Sequence, residues 1–104
     1  MKQNLLLLLI FTISYCSLRA QAKIGKDIVG ENSGDNSGEC VSMPDEFTIA
    51  IGASANNGNG TDAGHVRIYT WNGTTWAKKG RDIDGENAGD RSGRSISMPD
   101  ANTI

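Results

Sequence analysis

A chain of 104 residues, 38% hydrophobic, 6% aromatic and 21% charged, has room for one small domain at most, near the size where a single core barely suffices. That excludes a multidomain enzyme, a coiled coil and a polytopic membrane protein. The net charge is −2, and the longest basic cluster, Lys78, Lys79 and Arg81, is broken by Gly80, so the clustered Lys and Arg of a nucleic-acid footprint are missing and no nucleic-acid partner is expected.

Residues 1–22 have the pattern of a signal peptide. Lys2 supplies the positive start, Leu5 to Phe11 opens the apolar run, and small residues follow at Ala20 and Ala22. The run ends near Tyr15, short of the roughly 20 residues of a spanning helix. Cleavage after Ala20 or Ala22 is expected, leaving no transmembrane helix and a product secreted outside the cell or held at its surface. Tyr15 stands where a lipoprotein signal wants a small residue before its cysteine, which argues against an anchor at Cys16. Removing Lys2 and Arg19 leaves 8 basic residues (10 − 2) against 12 acidic, or −4. Cys40 is then alone, so an intramolecular disulfide is excluded.

The chain repeats itself. Gly25 to Ile49 reads GKDIVGENSGDNSGECVSMPDEFTI, and Gly80 to Ile104 reads GRDIDGENAGDRSGRSISMPDANTI. The offset is 55 residues (80 − 25), and 16 of 25 positions are identical. Self-similarity at that period marks a repeat architecture. Residues 23–79 form a first repeat and residues 80–104 a truncated second one. Cys40 stands where the second copy has Ser95, and is read as a small buried strand residue.

Within one repeat the spacing predicts four short strands. Glu39–Met43 is the first, and Pro44–Glu46 a turn, since proline presets the dihedral and aspartate bonds back to the backbone. Phe47–Ile51 is the second, with bulky Phe47, Ile49 and Ile51 on one face and small Thr48, Ala50 and Gly52 on the other. Ser54–Gly64 is a long polar turn, and His65–Trp71 is the third strand. Asn72–Gly73 signals a tight hairpin in which both residues adopt positive φ, leading to a fourth strand at Thr74–Lys78. Gly80–Gly93 then leads to the next copy. Helical periodicity is absent. Four antiparallel strands at this period predict an all-β fold built of β-propeller blades.

These motifs resemble the FG-GAP-like repeats of secreted bacterial proteins, related to the integrin-α type of β-propeller. The matching residues are Gly25, Asp27, Ile28, Gly30 and Glu31; then Gly34, Asp35, Ser37 and Gly38; then Ile49–Ala53, Asn56–Gly60 and Gly64–Trp76. The resemblance covers all of the mature chain. It implies a ring of blades, of which one full blade and the start of a second are present. A lone blade leaves both faces wet, so further blades or other chains are needed to complete a ring, and a fragment of a longer protein is the expected reading.

Integrin-type propellers hold Ca²⁺ in loops rich in aspartate. The matching loop here has Asn56, Asn57, Asn59, Thr61 and Asp62, with one carboxylate where a tight site wants three; Asn57, Asn59 and Asp62 are a weak calcium candidate set against a plain Gly/Asn-rich turn, and no other cofactor is expected. The acidic set Asp82, Asp84, Glu86 and Asp90 echoes Asp27, Glu31 and Asp35, and its recurrence favours turn closure through Asx-type bonds. Gly34–Gly38 superficially resembles a serine-protease motif but recurs at Gly89–Gly93. His65 is the single histidine, with nothing in the sequence to orient it, so catalysis through Ser37 or His65 is not expected. Trp71 and Trp76 suit packing of a hairpin better than stacking on sugar rings. The functional expectation is a non-catalytic binding, adhesion or structural module with a protein or glycan ligand. The alternative is the N-terminal fragment of a secreted enzyme whose catalytic residues lie in other blades or another domain.

Overall fold

The computed structural model describes residues 23–104; the signal peptide read in residues 1–22, with Cys16, lies outside the described residues. Among the described residues the chain is all-β and has no helix. Its strands are β1 (Ser37–Asp45), β2 (Thr48–Ala53), β3 (His65–Trp71), β4 (Trp76–Lys78) and β5 (Ile83–Asp84). They form one antiparallel sheet in the order β1-β2-β3-β4, with β5 also on β3.

β1 is longer than the sequence predicts and runs through Pro44. Proline fits because β1 is an edge strand, where a missing N–H costs no ladder bond, and the register shifts between Ser42 and Asp45. The turn therefore moves to Glu46–Phe47, closed by the Phe47 N–H donating to Asp45 Oδ1 at 2.8 Å. Phe47 is thus an exposed turn residue and not the first bulky position of β2.

The Asn72–Gly73 hairpin also differs from expectation. Trp71 pairs with Trp76, so the loop has four residues. Of the two turn residues only Gly73 has positive φ, at 97°. Asn72 acts through its side chain instead: Oδ1 accepts the N–H groups of Thr74 and Thr75 at 3.0 and 2.9 Å, while the Asn72 N–H donates to the Thr75 carbonyl. Such side-chain capping replaces the backbone geometry of a two-residue turn.

β5 has no counterpart in the sequence prediction. Tyr69 pairs with Lys78 and Val66 with Ile83, so three steps along β3 face five along its edge. β4 and β5 are thus one edge interrupted by two extra residues, a bulge with Gly80 at φ 72° and Lys79 N–H donating to the Ile68 carbonyl.

Cross-strand partners share a face. Thr48, Ala50 and Gly52 pair with Thr70, Ile68 and Val66, and this small-residue face is the buried one. The second copy lies on it. Met98 packs with Ala50 and Val66 in the core, joined by Ile68 and Ile96. The approach is close enough that a Cβ on Gly52 would overlap the Gly93 carbonyl. Backbone bonds fix the docked segment: the N–H groups of Gly89, Arg91 and Ser92 donate to the carbonyls of Thr61, Asp62 and Ala63 at 2.8, 2.9 and 2.8 Å. The opposite face, with Val41 paired to Ile51 and Ile49 to Tyr69, is half-open.

Gly38 and Gly93 occupy the same repeat position with the same backbone, φ 91° and 89°. A Cβ on Gly38 meets nothing within 4 Å, whereas one on Gly93 meets Gly52 and the His65 carbonyl. Both G38A and G93A carry the strain of positive φ; G93A is expected to lose about 1–3 kcal/mol more, the usual range for overpacking. Urea unfolding of the two variants checks this, and equal losses would contradict the docked placement of Gly93.

Candidate functional site

β3 alternates its side chains, so His65, Arg67 and Tyr69 project from the half-open face. The bulge after β4 swings Asp82 back toward them. Arg67 grips Asp82 with two bonds, Nε to Oδ1 and a terminal nitrogen to Oδ2, both 2.9 Å. The same guanidinium also bonds Glu31, and Lys78, four residues earlier at the end of β4, reaches Asp82. His65 is buried, with Nδ1 at 3.7 Å from Asp82 Oδ2. Ile28–Glu31, Ser37 and Ile51 complete a small cleft around these residues.

The electrostatics follow from the fork. The Arg67 hydrogen bonds, opposed by burial and aided by Lys78, hold the Asp82 carboxyl well below the usual carboxylate range. Asp82 in turn is the main reason that Arg67 holds its proton more tightly than a free guanidinium. A bidentate arginine–carboxylate pair of this kind locks orientation as well as charge.

Glu31, His65 and Asp82 bring potential ligand atoms within 4.8 Å of one another. The donor types would suit a divalent cation, but Arg67 already bonds both carboxylates. A permanent positive charge between them opposes a second cation, and the cluster is a salt-bridge network tying the two copies together. Asp82, the carboxylate beside His65, is held by Arg67 and Lys78, and Ser37, though it borders the same cleft, makes no hydrogen bond to His65 among the described residues.

The calcium-candidate residues lie in the loop between β2 and β3. Asn57 Oδ1 accepts the Asp62 N–H at 2.8 Å. Asn59 donates across to the Gly85 carbonyl at 2.8 Å. Asp62, with φ 53°, faces Arg91 at 3.9 Å. Each is thus engaged in turn closure or in contact with the second copy. The residue that organises this region is Asn56, fully buried, which donates to Asp35 at 2.7 Å and accepts the Gly58 N–H at 2.9 Å.

Asp35 and Asp90 do close turns, each accepting the N–H three residues back, from Asn32 at 3.2 Å and Asn87 at 2.8 Å. Asp27 and Asp82 part company: Asp27 pairs with Lys23 in the open. Trp71 and Trp76 lie 5.5 Å apart at 57°, with Gly25 packed on Trp71. Cys40 is a half-buried residue of β1, so the expectation of burial holds only in part. The Arg67 cluster was missed from sequence; His65 and Arg67 were placed in one predicted strand, but nothing local foretold that Asp82 returns to it.

No family model matches the chain, and neither a curated protein nor a solved structure matches it.

A carboxyl with a depressed folded pKa stabilises the fold fully above its unfolded value of about 3.9 and loses that contribution as pH falls toward the folded value. D82N is therefore expected to be less stable than the parent at about pH 6, with the gap closing toward about pH 2. Thermal melts across that range check the sign, and a gap independent of pH would contradict the Arg67–Asp82 pairing.

Proposed function

We propose that this chain is an exported repeat module of the β-propeller type. It acts without catalysis, as a binding, adhesion or structural element outside the cell or at its surface. The observation that carries this reading is the docking of the second copy, through Gly93, Ile96 and Met98, onto the small-residue face of the first sheet. Sheets that stack bulky residues on small ones, one repeat on the next, build a quasi-one-dimensional array. The FG-GAP-like and integrin-α resemblance belongs to the same proposal, since it joins this period and these motifs to secreted propellers.

The surface available for contact is made of loops. Asn57–Asn59 and Asn72–Thr75 are exposed, carried on a sheet that fixes their bases. Loops on a rigid scaffold are where recognition usually resides, and a protein or glycan surface is the ligand class that fits them. Ser37, His65 and Asp82 are taken up by the sheet edge and the Arg67 network, which favours binding over turnover.

Expression of the full chain in a bacterial host tests the reading. The expected result is a secreted product that begins at Gln21 or Lys23 by mass spectrometry, and that is retained on members of a panel of extracellular proteins and glycans without converting them. Full-length chain confined to the cytoplasm would overturn the export half. Turnover of a panel member, abolished by S37A or H65A, would overturn the non-catalytic half.

A further inference from the structure

The same segment occurs twice in the chain, once docked and once bare. In the second copy Met98 is 5% exposed, and Ile96 packs beside it on Ala50 and Val66. Gly93 abuts Gly52, Asp82 holds Arg67, and Ile83 pairs with Val66. In the first copy the equivalent Met43 is 52% exposed and Val41 likewise 52%. Gly38 faces open space, and Asp27 has only the exposed Lys23. The turn leading into each segment has the same backbone: Gly34 and Gly89, Asn36 and Arg91, and Gly38 and Gly93 share their positive φ values in pairs. The first copy is thus preshaped for a contact that it does not make.

We infer that the bulky face of the first repeat, carrying Val41, Met43 and Ile51, is a docking surface for a second copy of this chain, which supplies its Ala50–Gly52–Val66 face and its Arg67. The inference rests on the proposed repeat-on-repeat packing. The occupant is set by complementarity: the partner of Met98 and Gly93 is that small-residue face, and Asp27 matches Arg67 in charge as Asp82 does. In the partner that face is held by its own residues 80–98, so docking is an exchange. The incoming first repeat presents Val41 and Met43 at the positions where the resident segment presents Ile96 and Met98. Ile28–Glu31 leaves the cleft beside Ile51 and Tyr69 for the partner's β3 edge, the place that Ile83 and Asp84 hold within one chain. Each chain offers one bulky and one small face, so the contact is head-to-tail and propagates to a ring or a filament.

The resident segment is tethered, with an effective concentration in the millimolar range, so the parent chain is expected to associate only as its own concentration approaches about 1 mM. Sedimentation velocity on the purified chain reads this. M98D empties the small-residue face: its melting temperature falls, and association begins at a concentration at least about tenfold lower, about 1.4 kcal/mol in relative affinity. M43D, at an exposed position, keeps the parent melting temperature and loses association even near 1 mM. The double variant M43D/M98D is monomeric. M98D that stays monomeric throughout, or a double variant that associates as strongly as M98D, would overturn the inference and leave the face to some other partner. Should M98D fail to fold, parent and M43D compared at high concentration decide alone, with equal mass counting against the inference. An unchanged melting temperature in M98D would instead refute the underlying packing of one repeat on the other.

Discussion

The packing of this molecule depends on a close backbone approach between Gly52 in the inner strand β2 and Gly93 in the second copy of the repeat. A single Cβ on Gly52 would overlap the Gly93 carbonyl. That contact needs two residues without side chains, one of them with φ near 90°, which glycine alone adopts without strain. Once it is made, Met98 reaches Ala50 and Val66, and the loop carbonyls of Thr61, Asp62 and Ala63 meet the N–H groups of Gly89, Arg91 and Ser92. The core of this small chain is therefore not a two-sided sandwich. It is one face of a thin sheet capped by an extended segment, and its tightness comes from small residues.

Local and long-range forces separate cleanly between the two copies. Turn geometry recurs wherever the residues recur: Asp35 and Asp90 accept from Asn32 and Asn87, and Asp45 and Asp100 accept from Phe47 and Asn102 at 2.8 Å each. These bonds span two or three residues and need nothing else. Docking does not recur, because it depends on what lies opposite. Asp82 has Arg67, and its counterpart Asp27 has a solvent-exposed lysine. An exposed pair of that sort contributes little to stability, whereas the two-pronged, half-buried Arg67–Asp82 pair holds the strand edge and the second copy in register.

Much of the sheet was legible in the sequence because alternation is a local signal. The alternation read over Phe47–Ile51 separated the two faces of β2 from Thr48 onward, although Phe47 itself falls in the turn, and the run His65–Trp71 placed β3 with its observed bounds. The repeat arithmetic marked the equivalence of the two copies. What escaped was set by distance in the chain or by side-chain capping. β5 and the bulge before it are visible only once β3 offers a partner. Asn72 closes its turn with Oδ1 and not with positive φ, a choice that the residue type leaves open. Of the candidate residues, Asn57, Asn59 and Asp62 share a loop, as the sequence predicted, but the buried hub there is Asn56 with Asp35, a pairing across the chain that no local signal marks. Burial of a polar pair is tolerated when every atom finds a partner, and that condition depends on the tertiary fold.

The proposed role as an exported repeat module depends on the second copy seating on the first sheet. A nuclear Overhauser spectrum of the chain with labelled methyl groups observes that seating directly. The account predicts cross-peaks from the Met98 methyl to the methyls of Ala50 and Val66, with none from Met43 to either residue. Cross-peaks from Met43 in place of Met98, or none from either methionine, would contradict it.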